Sequence, residues 1–283
     1  MQESEFARAV AAARSTASAL GLTVADAIVL QDSTRLMLRL MPCDVVVRVA
    51  PMTLQTSAAF EVELARLLAG TESPVALLDP RVEPRVHVRD GFAMNLWTYY
   101  EPVPPGVHPP AEFARALERL HAGMGPLDIA TPHFTDRIAE ARHIVVSRDH
   151  SPTLADPDRE FLGNKLRSLE GAIADRCAAE QLLHGEPHPG NLLSTKYGPL
   201  FIDLETCCRG PVEFDIAHAP EDVSEHYPDI NHELLSECRA VILAMVAAWR
   251  WDRVDDYPDG RRVGRALLGA LRQGPPWPTL DSV

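Results

Sequence analysis

The segment Glu101-Pro-Val-Pro-Pro-Gly-Val-His-Pro-Pro110 carries five prolines in ten residues. Proline fixes φ and lacks the backbone N–H, so neither a helix interior nor a central strand passes through it. It divides the chain, and the two sides differ in texture. Before it, residues 3–20 have helical spacing (Phe6, Val10, Ala13, Leu20) and stop at Gly21, a residue suited to ending a helix. Val24–Leu30, Arg35–Met41 and Val45–Val49 follow as short β-branched or aliphatic runs, the last two joined by a tight turn at Pro42-Cys43-Asp44. A helix is predicted over 54–69, then two more extended runs, Val86–Val88 and Ala93–Tyr99. Beyond the prolines, residues 111–122, 135–147, 157–180 and 231–250 have helical period, and only Leu192–Ser194 and Leu200–Leu204 read as strands. The fold class predicted is α+β. A small antiparallel β-sheet lobe with a leading helix occupies 1–100, a connection 101–110, and a larger, mainly helical lobe 111–283.

Composition narrows the partners. The chain has 283 residues, 46% apolar and 24% charged, which excludes disorder, collagen and coiled coil. Its formal charge of −13 repels phosphate backbones, so nucleic acid is not expected. An acidic surface favours cationic partners, or serves solubility alone. The five cysteines are scattered and form no CxxC pair, which argues against a disulfide framework and a structural zinc site. MQESEFARAV at the start has no apolar signal region, and no window approaches the ~18 uninterrupted apolar residues of a membrane span. A cytoplasmic protein without a membrane partner, monomeric or weakly dimeric, is expected.

The chemistry is concentrated in His184-Gly-Glu-Pro-His-Pro-Gly-Asn191 and Phe201-Ile-Asp-Leu-Glu205. His184 and His188 have the spacing of a zinc-binding helix, but Pro187, Pro189 and Gly190 forbid a helix there. The segment reads as a loop, entered from an apolar helix end (Gln181-Leu-Leu183) and left by a short apolar strand. Its side chains suit phosphoryl transfer: the Glu186 carboxylate orients a hydroxyl and accepts its proton. The amide oxygen of Asn191 is a hard ligand for Mg2+, and the carboxylate of Asp203, at the end of a hydrophobic strand, is a second. Singly, each residue can merely satisfy a buried turn; together, between two apolar strands, they point to catalysis.

These residues resemble the aminoglycoside phosphotransferase and choline-kinase-like group of small-molecule kinases, which have a protein-kinase-like bilobal fold. That family's catalytic loop reads H-G-D-x-H-x-x-N and its metal loop I-D-x-E; this chain has HGEPHPGN and FIDLE, followed by Gly210-Pro211 and Phe214-Asp215-Ile216-Ala217. The resemblance implies ATP or GTP and Mg2+ as cofactors. Asn191 and Asp203 would hold the metal, His184 would brace the catalytic loop beside Glu186 and His188, and Asp215 would hold that loop's backbone. Arg48, on the third strand, would clamp phosphates with Glu61 as its ion-pair partner, Glu63 being a rival one register away. The stretch Trp97 to Glu101, with Thr98 and Tyr99 in it, would form a hinge at the end of the fifth strand, offering backbone hydrogen bonds to adenine or guanine. There are two departures. Glu186 stands where the family has Asp, which leaves a catalytically silent nucleotide-binding module as an alternative. The turn Gln31-Asp-Ser-Thr34 lacks phosphate-loop glycines, so the hydroxyls of Ser33 and Thr34 are candidate substitutes.

Charge gives the only indication of the acceptor. Glu221 to Gly260 holds ten acids against three arginines. Together with Glu205, the residues Glu221, Asp222 and Glu225 are candidate contacts for a cationic acceptor, unless they belong to a solvated helix face. The predicted reaction is phosphorylation of a hydroxyl on a small, cationic molecule. An aminoglycoside-type or other antibiotic leads, and a housekeeping kinase of an amino alcohol or sugar is the alternative.

Overall fold

The computed structural model describes residues 3–33, 35–103 and 108–280. In chain order, α1 (Glu3–Ala19) precedes β1 (Val24–Asp32), β2 (Leu36–Pro42) and β3 (Val45–Pro51). Then come α2 (Gln55–Leu68), β4 (His87–Arg89) and β5 (Phe92–Thr98). Helices α3 (Pro110–Met124), α4 (Phe134–Val146) and α5 (Asp156–Arg176) follow, then β6 (Gln181–Leu183), β7 (Leu192–Thr195), β8 (Gly198–Phe201) and β9 (Cys208–Gly210). The chain closes with α6 (Val212–Ile216), α7 (His232–Trp249) and α8 (Gly260–Gln273). It divides into two compact units, Met1–His108 with Asn191–Glu205, and Pro109–Gly190 with Thr206–Val283. The sequence reading grouped 191–205 with the helical part; here the segment belongs to the first unit.

In the first unit β1 to β5 form the antiparallel sheet expected, in the order β1-β2-β3-β5-β4. Alternation sets its two faces. Leu36, Leu38 and Leu40 on β2, with Val45, Val47 and Val49 on β3, pack under Ala9, Ala12, Ala13 and Ala17 of α1, whose small side chains let the helix lie close. Arg48, out of phase with the two valines beside it, projects from the opposite face. The turn between β2 and β3 falls where the proline predicts it, with Asp44 at a φ of +53°. Asn191–Glu205 adds the hairpin β7–β8, which turns at Gly198 (φ +103°).

The core of the second unit lies between α4, α5, α7 and α8, with Leu162, Leu166, Ile173, Val241, Met245 and Leu267 buried in it. α7 is buried on most of its faces, and Asn231 caps it by accepting the N–H groups of Glu233 and Leu234. Two expectations are corrected and one helix is added. Gln181–Leu183 is not a helix end but a strand paired antiparallel with β9, because α5 already stops at Arg176. α8 was not predicted, although Val263, Leu267, Leu268 and Leu271 give it an apolar stripe. Leu204 lies in a 3-10 turn beyond β8 rather than in a strand. Burial pushes the Cys208 thiol up to about 12, so this cysteine is inert. Among the described residues no helix is long and apolar enough to cross a membrane.

Candidate active site

The loop 184–190, the first candidate, is built in the second unit. After β6 the chain turns at Gly185, whose φ is +88°. A Cβ there would stand 2.0 Å from the Thr206 carbonyl oxygen, so only glycine fits. Asp215, wholly buried on α6, accepts the N–H groups of both His184 and Gly185 at 2.8 Å. Its other partner is His121 Nε2, at 2.8 Å. With the proton assigned to Nε2, His121 Nδ1 accepts from the Tyr227 hydroxyl at 2.7 Å. Burial works against the charge of Asp215. The hydrogen bond from His121, with His184 and the Gly185 N–H, more than offsets it and holds the carboxyl below the usual range. His184 is also fully buried, and its carbonyl accepts from the Thr206 hydroxyl at 3.1 Å. The loop's backbone is thus fixed at both residues before Glu186.

Glu186 is held by a residue the sequence reading missed. Arg137 on α4 forms an ion pair with Glu186 Oε1, donates Nη1 to the Gly185 carbonyl at 2.9 Å, and lies 5.4 Å from the centre of the Trp249 ring. Burial raises the Glu186 pKa, but its neighbours, Arg137 foremost, outweigh it and keep the group below its ordinary value. At neutral pH it is a carboxylate, able to accept a hydroxyl proton. Burial lowers His218 to about 4 against the pull of Glu186, so that imidazole is neutral at pH 7. His188 Nδ1 accepts the Gly190 N–H at 3.0 Å, and His184 Nδ1 the Glu186 N–H at 3.4 Å. Both rings therefore turn a nitrogen to their own loop. Among the described residues no three His, Cys, Asp or Glu side chains are grouped to hold a metal.

The first unit carries the other candidates. Arg48 forms an ion pair with the buried Glu61 and donates to Asp203 Oδ1 at 2.8 Å. Asn95, opposite Arg48 on β5, donates to Glu61 Oε2 at 3.1 Å. Glu63 instead pairs with Arg66 on the surface. Burial opposes the charge of Arg48, but Glu61 and Asp203 raise its pKa above the ordinary guanidinium value. A second buried arginine, Arg35, pairs with Glu205 and reaches Glu61 at 3.6 Å. Glu205 also accepts from the Ser57 hydroxyl at 3.2 Å. Its carboxylate is spent in this cluster, which corrects the expectation that it contacts an acceptor.

Asn191 and Asp203 sit at the open end of the β7–β8 hairpin. Leu192 pairs with Phe201, and the Asn191 carbonyl accepts the Ile202 N–H at 3.0 Å. Asp203 has a φ of +66°, a left-handed conformation that side chains adopt at a cost and that structures retain mostly at turns and functional sites. These two donors fit Mg2+ in kind and number: both offer oxygen, and two protein ligands leave the rest of an octahedral shell to water and phosphate.

Other expected contacts fare less well. The N–H groups of Thr98 and Tyr99 go to the carbonyls of Leu77 (2.9 Å) and Asp44 (3.4 Å), and the Trp97 indole donates to Asn95 at 3.0 Å. Those donors are spent inside the first unit. The Ser33 hydroxyl accepts from Gln31 at 3.2 Å, within the β1–β2 connection, while Thr34 lies outside the described residues. Glu221, Asp222 and Glu225 are exposed on a 3-10 turn of the second unit. Several neighbouring acids are paired locally: Glu233 and Glu237 with Arg176, Asp255 with Arg250, and Asp259 with Arg262. The acidic stretch is therefore less bare than its composition implies. A cavity of about 450 Å³, lined in part by Glu221, Gln273 and Trp277, opens beside this turn.

Residues 29–259 match the family model described as the phosphotransferase enzyme family. No curated protein sequence matches the chain. Among solved structures, the amicoumacin kinase hAmiN in complex with AMP-PNP, Ca2+ and Ami superposes with a TM-score of 0.74 at 11% identity, covering 98% of each chain. Choline kinase LicA from Streptococcus pneumoniae gives 0.69 at 14%, over 92% of this chain and 98% of that one. The aminoglycoside phosphotransferase APH(3'')-Id from Streptomyces rimosus gives 0.56 at 18%, over 94% and 98%. At such identities the likeness is one of fold.

Proposed function

Because the chain belongs to the phosphotransferase enzyme family, we propose that it transfers the terminal phosphoryl group of ATP or GTP to a hydroxyl of a small molecule. Asn191 and Asp203 would hold Mg2+, which when bound neutralises phosphate charge. This chain's own residues do the rest. Glu186, kept ionised, accepts the hydrogen bond of the incoming hydroxyl and takes its proton as the oxygen bonds to phosphorus. Arg48, whose Nη groups meet Glu61 and Asp203, would bring its positive charge to the phosphates, and Glu61 fixes its direction. Asp215 and His184 keep the loop rigid, which matters because phosphoryl transfer relies on positioning and electrostatics.

The observation that carries this reading is the single hairpin bearing both oxygen donors, tied by the Ile202 N–H to the Asn191 carbonyl at 3.0 Å. The amicoumacin kinase that shares the fold binds AMP-PNP and Ca2+, which supports a nucleotide with a divalent ion. For the acceptor we favour a cationic compound, an antibiotic first and a housekeeping substrate second. The exposed acids Glu221, Asp222 and Glu225 support the charge, and the kinases of amicoumacin and aminoglycosides support the class.

The test is nucleotide turnover with Mg2+ across aminoglycosides, cyclic peptides, macrolides and amino alcohols. Acceptor-stimulated turnover that collapses in Asp203→Ala is expected. Turnover indifferent to every acceptor, or unchanged in Asp203→Ala, would overturn the proposal.

A further inference from the structure

The family's usual Asp is one methylene shorter than the Glu186 of this chain, a difference of ~1.5 Å in reach. At a catalytic base such a displacement can cost about 100-fold in rate, so a longer carboxylate needs something to hold it in place. From the contacts of α4 we infer that Arg137 is a positioning residue, fixing the Glu186 carboxylate against the catalytic loop and taking up its extra length. The inference rests on the proposed role of Glu186 as base.

Three contacts make Arg137 a clamp rather than a surface ion pair. Nη2 meets Glu186 Oε1 while Nη1 donates to the Gly185 carbonyl at 2.9 Å, so the same guanidinium grips the base and the backbone of the residue before it. That residue is itself anchored, since Asp215 holds its N–H at 2.8 Å. The Trp249 ring, 5.4 Å away, lies against the guanidinium and limits its movement. The side chains of Arg137 and Glu186 are only 16% and 27% exposed, so solvent screens the pair weakly. The planar, two-pronged geometry suits arginine; lysine, a point charge, cannot make both contacts in one plane.

The pair also sets the charge of the base. The groups that act on Glu186 are Arg137 from α4, His188 from its own loop and His218 after α6. Asp215 and Cys208 act within the same cluster. Burial raises the Glu186 pKa, and Arg137 is the largest of the effects that lower it. Without Arg137 the carboxyl would titrate nearer to neutrality.

The experiment compares wild type with Arg137→Met, Arg137→Lys, Glu186→Asp and the Arg137→Met/Glu186→Asp pair. It records kcat and KM against pH, with a carboxyl 13C NMR titration of Glu186 in parallel. In Arg137→Met we expect kcat to fall by about 100-fold with little change in nucleotide KM. The acid limb of the pH profile and the Glu186 titration should both move to higher pH. Arg137→Lys should keep the acid limb low but recover only part of kcat. Glu186→Asp should slow the wild type yet cost little more in the Arg137→Met background. An unchanged kcat and pH profile in Arg137→Met would overturn the inference. A faster Arg137→Met would overturn it too, making the pair a brake. A faster Glu186→Asp would show that Glu186 is not held productively. If wild type transfers to no acceptor, the base assignment fails by itself. The NMR titration still decides the clamp, because a Glu186 pKa that ignores Arg137→Met refutes it.

Discussion

Replacing Asp215 by asparagine keeps the shape of the side chain and removes its charge. Three donors converge on the carboxylate: the N–H groups of His184 and Gly185 and the Nε2 of His121, each at 2.8 Å. An amide offers one oxygen, so wherever its nitrogen falls it faces at least one of the two backbone N–H groups. The site is fully buried, and water cannot relieve the conflict. An unsatisfied buried donor costs about 1–3 kcal/mol, and a hydrogen bond to a charged group is worth about 1.5–3. A loss near 3 kcal/mol is expected for the pair of effects together. For a folded unit of 150–250 residues that corresponds to a Tm about 6–12 °C lower. The pH dependence has a definite sign. The folded-state pKa of Asp215 is depressed, so its contribution is present above the unfolded carboxylate value and is lost as pH falls through the folded one. The gap in Tm between wild type and Asp215→Asn should thus be constant around neutrality and narrow in acid. Calorimetry of both proteins from pH 7 downward measures it. A gap within ~1 °C at neutral pH, or one that does not narrow in acid, would refute the brace assigned to Asp215.

Three further predictions follow from single contacts. Gly185→Ala cannot hold its Cβ at 2.0 Å from the Thr206 oxygen, so the loop must move; kcat/KM should drop by about 100-fold or more, and a variant with normal kinetics would contradict the geometry. Arg48→Met removes the nearest cation from the buried Glu61 carboxylate, leaving it Arg35 at 3.6 Å and Asn95 at 3.1 Å, and should cost about 3 kcal/mol in urea unfolding, most of it recovered when Glu61→Met is added; equal losses in both variants would sink this account. Neutralising the exposed acids together, in Glu221→Gln/Asp222→Asn/Glu225→Gln, should raise KM for a cationic acceptor, more at low salt than at high, whereas an unmoved KM removes these residues from the acceptor site.

Much of the architecture could be read directly because its signals are local. The β-branched runs, the turn at Pro42 and the helical period of 54–69 fall within a few residues of the elements observed. Arg48 and Glu61 were also accessible, since strand alternation and helix period set their directions. Short strands were not: three residues such as Gln181–Leu183 show no alternation, and β6 exists only because β9 pairs with it. α8 was missed with its apolar stripe in plain view, its three glycines masking the pattern. The contacts that define the site are the least local. Arg137 is 49 positions from Glu186 and looks like any polar residue of an amphipathic helix. Arg35 stands just before β2, and nothing nearby in sequence announces Glu205. The acidic stretch misled in the other direction, because a charge count over 221–260 leaves out Arg176 and Arg262, which pair with its acids from outside it.

The central claim is that a hydroxyl activated by Glu186 attacks a nucleoside triphosphate. Its most direct test is the product. Acceptors incubated with MgATP or MgGTP are analysed by mass spectrometry and 31P NMR for a new phosphate monoester. Wild type should form one at a single hydroxyl of at least one acceptor, and Glu186→Gln should form almost none while still binding nucleotide. Nucleotide consumed without any phosphorylated acceptor, or a monoester formed equally well by Glu186→Gln, would contradict the account.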